Sequence, residues 1–229
     1  EVGLKAARRL WLRGGFPRSF LAVSSSHSVR WREEFVRAFL ERDLPQLGVT
    51  IPAGALRRFW TMLAHYHGQI WNAAEFGRAL GSSESTARRY LDLLTSTFAV
   101  RQLPPWFENL SKRQVKAPRV YVADSGILHT LLGIESMSQL LSHPKVGASW
   151  EGFAIGEIAA CLGARPRECF FWRTHTGAEL DLLVVRGRKR LGFEIKLTDA
   201  PKVTPSMRFS LAYLGLPRLD VVHGGKQTF

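Results

Sequence analysis

Apolar positions recur at helical spacing from the first third of the chain. Trp31, Phe35, Ala38 and Phe39 share one side of a helix, with Arg32, Glu33 and Arg37 around the rest. A loop at Arg13-Gly14-Gly15-Phe16-Pro17 precedes it, and Pro45 and Gly48 are placed to end it. Leu56, Phe59, Met62 and Leu63 predict a second helix, interrupted near Gly68. Asn72 can cap a short helix from Ala73 to Leu80, and Glu75 three residues on completes a capping box. Gly81 supplies a left-handed exit, and Ser82 or Ser83 caps a further helix through Leu94. Its buried seam is Ala87, Leu91 and Leu94. Two helices joined by a short Gly-containing turn make a helix-turn-helix pattern. Phe98 to Leu103 and Arg119 to Val122 read as strands that would make it winged, with the basic loop Lys112-Arg113-Gln114-Val115-Lys116 between them.

The pattern changes after about Gly147. Trp150 to Leu162 reads as a helix with Ile155, Ile158 and Leu162 on its apolar stripe. Cys169 to Trp172, Leu180 to Val185 and Leu191 to Leu197 read as strands, the last two joined through Arg186-Gly187-Arg188-Lys189. A helix from Pro201 to Leu214 and a strand at Leu219 to Val222 complete an α/β alternation, or α+β around a mixed sheet. The expected organisation is a helical segment over 1–48, a winged helix-turn-helix over 49–125, a linker over 126–146 and an α/β domain over 147–229.

Composition adds three constraints. With 45% hydrophobic and 22% charged residues, wholesale disorder is out. No apolar run approaches the roughly 18 to 20 residues that span a bilayer, and Arg8, Arg9 and Arg13 break up any signal-like stretch. With Cys161 and Cys169 alone, a disulfide scaffold is out, and a reducing cytoplasm is the expected compartment. The first residue is Glu1 rather than Met, which leads us to expect a fragment of a longer chain.

The formal net charge of +13 is spread along the chain, and so basic a protein attracts polyanions, of which nucleic acid, DNA above all, is the commonest partner. On the second helix of the helix-turn-helix, Arg88 and Arg89 lie off the apolar seam, where they could reach phosphates or guanine edges. Lys112, Arg113 and Lys116 would add phosphate contacts. The alternative is a protein-interaction module whose arginines simply face water. His65, His67 and His129 have no zinc-site spacing and read as packing residues. Trp106, beside Pro104-Pro105, reads as a packed strand end.

The sharpest signal is a set of charges inside an apolar hairpin. Leu180-Asp181-Leu182-Leu183-Val184-Val185 contains one carboxylate, and Leu191-Gly192-Phe193-Glu194-Ile195-Lys196 alternates Glu194 and Lys196 against Leu191, Phe193 and Ile195. A turn centred between Gly187 and Arg188 sets Asp181 opposite Glu194 and Glu179 opposite Lys196. Facing Cβ atoms lie about 4.5–5.5 Å apart, so two carboxylates that close call for a bridging cation. Mg²⁺ (or Mn²⁺) takes one or two carboxylates plus water and substrate phosphate, and a nearby lysine orients the attacking water or holds the leaving oxygen. The competing reading is a surface hairpin whose charges face water.

Asp181 followed by Glu194-Ile195-Lys196 resembles the PD-(D/E)xK nuclease motif, which a helical glutamate usually precedes. Glu151 shares the face of Ile155, Ile158 and Leu162, whereas Glu157 is turned about 240° away, so Glu151 is the candidate. The resemblance implies metal ligation by Asp181, Glu194 and Glu151, with Lys196 completing the catalytic set. A wider resemblance rests on Leu12-Arg13-Gly14-Gly15-Phe16-Pro17, Glu41-Arg42-Asp43-Leu44, Tyr121-Val122-Ala123-Asp124-Ser125-Gly126, Phe171-Trp172-Arg173 and the hairpin. Together these are similar to a family of bacterial and archaeal AAA-type ATPases that carry a C-terminal domain of unknown function with a restriction-endonuclease-like fold. It implies that residues 1–48 end an ATPase module, helical lid included, and that a fuller form would bind ATP and could assemble as a homo-oligomer through that module. The phosphate loop G-x-x-x-x-G-K-[ST] is absent, so no ATPase activity is expected of these residues alone. Two functions stand: a DNA-binding, Mg²⁺-dependent phosphodiesterase, or a non-catalytic DNA- or protein-binding half of an ATP-driven regulator.

Overall fold

The structure, a computed structural model, describes residues 2–107 and 117–225. Lys112, Arg113 and Lys116 lie outside the described residues. The chain forms two compact units, one of Glu1–His67, Asn72–Arg101 and Val120–Ser149, the other of Gly68–Trp71, Gln102–Arg119 and Trp150–Phe229. The fold is mixed α+β, as expected. Among the described residues no helix is long and apolar enough to cross a membrane.

The first unit is helical. It opens with α1 (Val2–Arg13), α2 (Pro17–Phe20) and α3 (Ser25–Ala38). A π-helical stretch, Phe39–Asp43, and α4 (Leu44–Gln46) prolong α3, so Pro45 lies in the first turn of α4, where a missing N–H is tolerated, and does not end the helix. The buried stripe is Val36, Leu40 and Leu44, one position on from the predicted one. The rings of Trp31, Phe35 and Phe39 stack along the neighbouring, half-buried face. Arg32, expected on the polar side, is 1% exposed. Its guanidinium donates to the hydroxyls of Ser28 (2.6 Å), Thr130 (2.8 Å) and Ser19 (3.2 Å), which satisfies a buried cation without a direct carboxylate among the described residues.

Helix α5 (Ala53–His65) buries Leu56, Phe59, Trp60 and Leu63. Helices α6 (Ala73–Leu80) and α7 (Glu84–Ser96) are capped where the side-chain chemistry predicts. Asn72 accepts from the Glu75 N–H, Ser83 from the Thr86 N–H, and Gly81 takes the left-handed conformation at φ 65°. The capping box is only half formed, because the Glu75 carboxylate takes the Tyr66 hydroxyl. Ala87, Leu91 and Leu94 are buried as predicted. Strands β1 (Val100–Leu103) and β2 (Arg119–Val122) pair with one another, and each carries the chain from one unit into the other. The stretch 126–146, read as a linker, holds most of α8 (Ser125–Leu131) and all of α9 (Met137–Ser142). His67 and His129 are buried, and burial pushes them down to about 3 and about 4, so both are neutral packing groups.

Two segments that carry the family resemblance meet inside this unit. Asp124 caps α8 by accepting from the Ile127 N–H, and its second oxygen accepts from the Gly15 N–H at 2.7 Å. Gly126 packs so closely that a Cβ there would collide with the Arg13 carbonyl and stand 2.9 Å from the Arg32 side chain. Gly126→Ala is therefore expected to cost about 2–3 kcal/mol, read as a lower urea midpoint; an unchanged midpoint would mean that α1 and α8 separate freely.

The second unit holds α10 (Val146–Leu162) from Trp150 onward, then β3 (Cys169–Arg173), β4 (Glu179–Arg186), β5 (Lys189–Lys196), α11 (Pro205–Tyr213) and β6 (Leu219–His223). The sheet runs β3-β4-β5-β6, with antiparallel pairs except for β5 and β6, which are parallel and need the α11 crossover. Trp172, Leu180, Leu183, Leu214 and Leu216 form a buried core cluster.

Candidate active site

The β4–β5 hairpin has the register that a turn at Gly187-Arg188 sets, from Arg186↔Lys189 down to Leu182↔Phe193. The ladder stops one residue short of the predicted facing of Asp181 and Glu194. On the other side, β3 pairs Phe170 with Leu183 but Trp172 with Leu180, so Asp181 and Leu182 both lie against Phe171. Such a bulge re-aims a side chain. Asp181 Oδ2 accepts from the Ile195 N–H at 2.9 Å, doing the work of the missing ladder bond.

Asp181 and Glu194 are 5% and 3% exposed, which removes the reading of a water-facing hairpin for these two. Burial pushes the Asp181 carboxyl up, opposed by the Ile195 N–H and by Arg119. Burial, and then the Asp181 charge, push Glu194 up to about 7. Lys196 Nζ lies 2.7 Å from Glu194 Oε1. Burial is the largest single influence on the Lys196 ammonium and lowers it, but that bond together with the Glu194, Asp181 and Glu179 charges outweighs it and raises the group overall. The other oxygen, Glu194 Oε2, is buried with no hydrogen-bond partner. A buried carboxylate oxygen without a donor is costly unless something else fills its coordination.

Arg119 completes the cluster and escaped the sequence reading. Its Nη1 donates to Glu151 Oε1 at 3.1 Å and lies 3.5 Å from Asp181 Oδ1, while Nη2 donates to Glu179 Oε2 at 2.9 Å. The guanidinium carbon sits 5.0 Å from the centre of the Phe171 ring. Four carboxylates facing Lys196 alone signal a missing cation in the sequence, but nothing local says which of 24 arginines supplies it. Glu151 is thus gathered into the site, and Glu157 is exposed. Glu179 turns to Arg119, while Lys196 is engaged by Glu194.

These residues fit a hard divalent cation in one respect and resist it in another. Asp181 and Glu194 with its orphaned Oε2 offer two oxygen donors of the right chemistry, the number Mg²⁺ commonly takes from protein. Glu151 is held on the Arg119 side, and among the described residues no three His, Cys, Asp or Glu groups form a ready set of ligands. Arg88 and Arg89 are exposed on α7, Arg88 3.7 Å from Glu84 and Arg89 over the Tyr90 ring.

Residues 4–138 match a family described as a domain of unknown function (DUF8612), and residues 146–229 match a second, the domain of unknown function DUF4143. An uncharacterized protein of Mycobacterium bovis and one of Mycobacterium tuberculosis are each 52% identical over 229 residues, 100% of this chain and 52% of theirs. The chain therefore spans about half the length of these relatives. No solved structure matches it.

Proposed function

Because this chain belongs to the family of the domain of unknown function DUF8612, continued by a DUF4143 segment, we propose that it is the nucleic-acid-handling part of an AAA-type ATP-driven protein. DUF4143 segments typically sit in AAA-ATPase-associated proteins, in keeping with the motifs quoted above. In this reading α6 and α7 form a winged helix-turn-helix that presents Arg88 and Arg89 to DNA, and the second unit is a nuclease-like domain that hydrolyses phosphodiesters with Mg²⁺ or Mn²⁺. The observation that carries it is the buried Glu194 Oε2, unpartnered beside Asp181 and one carboxylate away from Lys196.

Asp181 and Glu194 would hold the cation, which would polarise a phosphoryl oxygen and acidify a water. Asp181 is kept in place by the Ile195 N–H and by Arg119. Lys196, tethered to Glu194, is placed to orient the attacking water or to protonate the leaving oxygen. Burial of both carboxylates keeps bulk water from screening these charges.

The test is cleavage of supercoiled, linear and branched DNA with Mg²⁺ or Mn²⁺, beside Asp181→Ala and Lys196→Ala. We expect cutting by the parent that both substitutions abolish; cutting that survives them would sink the assignment. One observation favours a second reading, the non-catalytic regulator: Arg119 already pairs with Glu151, Glu179 and Asp181. Salt-sensitive DNA binding without any cutting is its expected result.

A further inference from the structure

Helix α11 exposes two aromatic rings that its own core does not need. Phe209 is 46% and Tyr213 54% exposed. They lie one turn apart, with ring centres 5.6 Å apart and planes within 19°. Both back onto the buried Trp172, at 6.1 and 5.3 Å, which fixes their orientation from behind. Beside these rings α11 packs onto the hairpin: Met207 and Ser210 are buried, and Ser206 and Ser210 donate to the Glu179 carbonyl.

Immediately past Tyr213, Leu214 and Gly215 line an open cavity of about 680 Å³ at the tip of the β4–β5 hairpin. Trp106, Arg188, Lys189 and Arg190 line it too. Arg190 donates to the Leu214 carbonyl at 2.9 Å and lies 5.5 Å from the Trp106 ring centre, which anchors it to the end of α11. Arg188 and Lys189 are exposed and, among the described residues, have no acidic partner. Helix α11 therefore runs along the hairpin from Glu179, two residues from Asp181, to Arg190 at the tip. The hairpin covers about 20 Å between Asp181 and the tip.

Two half-exposed rings one turn apart, followed by unpaired cations around a cavity, suit a single nucleic-acid strand: aromatic surface for bases, charge for phosphates. We propose that α11 and the hairpin tip hold a single strand, with bases on Phe209 and Tyr213 and phosphates on Arg188 and Lys189. This track leads the strand to the Asp181 end of the hairpin. The proposal rests on the phosphodiesterase reading for its purpose, but binding can be read without it.

The test is fluorescence anisotropy of a labelled 12-nucleotide oligo-dT in EDTA, with the parent, Phe209→Ala/Tyr213→Ala and Arg188→Ala/Lys189→Ala, all first shown to melt alike. The aromatic variant is expected to weaken binding roughly tenfold for each stacked base lost, with little change for a duplex of the same length. The Arg188→Ala/Lys189→Ala variant is expected to lower the slope of log affinity against log salt by about 1.4, some 0.7 for each phosphate released. Parent-like affinity and slope in both variants would overturn the proposal, as would a parent that does not bind oligo-dT. So would an aromatic pair whose loss dissolves a self-associated form, or releases a protein partner, without touching oligo affinity. Binding lost in these variants while no DNA is ever cut would keep the track and remove the nuclease; the converse would keep the nuclease and remove the track.

Discussion

Replacing Arg119 with Met is expected to lower the stability of the metal-free chain by about 3–5 kcal/mol, the usual cost of removing one partner from a buried ionic cluster. The side chain is 8% exposed, and two of its three carboxylates are largely buried too: Asp181 is 7% and Glu151 21% exposed at the side chain. Glu179, at 38%, is screened by water and contributes little to the loss. Met keeps much of the stem that lies on Phe171, so the loss reports charge rather than volume. Burial pushes Asp181 up and Arg119 opposes it, so without the guanidinium Asp181 protonates more readily, which makes the deficit smaller at pH 5 than at pH 8. Urea denaturation at both pH values measures this, and a loss under about 1 kcal/mol at pH 8 would mean that water already screens the cluster.

The same variant separates the two functional readings. A divalent cation that binds only the folded chain stabilises it by about 3 kcal/mol at a hundredfold excess over its Kd. We expect millimolar Mn²⁺ to raise the unfolding temperature of Arg119→Met more than that of the parent, because Glu151 and Asp181 then face the same space without a guanidinium between them. A parent that responds as well has room for metal at Asp181 and Glu194 beside Arg119. A parent that does not respond, with a variant that does, makes Arg119 the permanent occupant and the domain non-catalytic.

Local rules read well wherever a residue's partner lies within a few positions. The caps at Asn72 and Ser83, the exit at Gly81, the seam of α7 and the hairpin register all follow from short-range geometry. The choice of Glu151 over Glu157 follows from the rotation of one helix. Three features were illegible for a common reason: long-range partners decide them. Helix α1 is anchored by Trp11, the one buried side chain among those described in it, which donates to Ser149, 138 positions away. Arg32 looks like a surface residue until Thr130, 98 positions away, and two serines surround it. Arg119 meets Glu179 across 60 positions and Glu151 across 32. The bulge at Asp181-Leu182 belongs to this class too, since it arises from pairing with β3, whereas the hairpin alone predicts unbroken alternation.

Glu194→Gln is expected to stabilise the metal-free chain at pH 8 by about 2–3 kcal/mol and to leave it nearly unchanged at pH 5. The sign follows from Glu194 being pushed up from its ordinary 4.5 to about 7, by burial first and the Asp181 charge second. Below about 4.5 the folded and unfolded chains both hold the proton. Between there and about 7 the folded chain holds a proton that the unfolded chain has released, so stability falls as pH rises, by about 1.4 kcal/mol per unit at most. Above 7 the full penalty stands. An amide at position 194 carries no charge to bury and still offers Lys196 an acceptor, so the variant escapes that fall. Urea midpoints in EDTA from pH 5 to pH 8 would show the two chains diverging; parallel curves would mean that Glu194 titrates normally. With Mn²⁺ present the order is expected to reverse at pH 8, because the carboxylate gains a ligand and the amide does not. A side chain that weakens its own fold at neutral pH until a cation arrives is placed for binding, and folding alone would favour the amide.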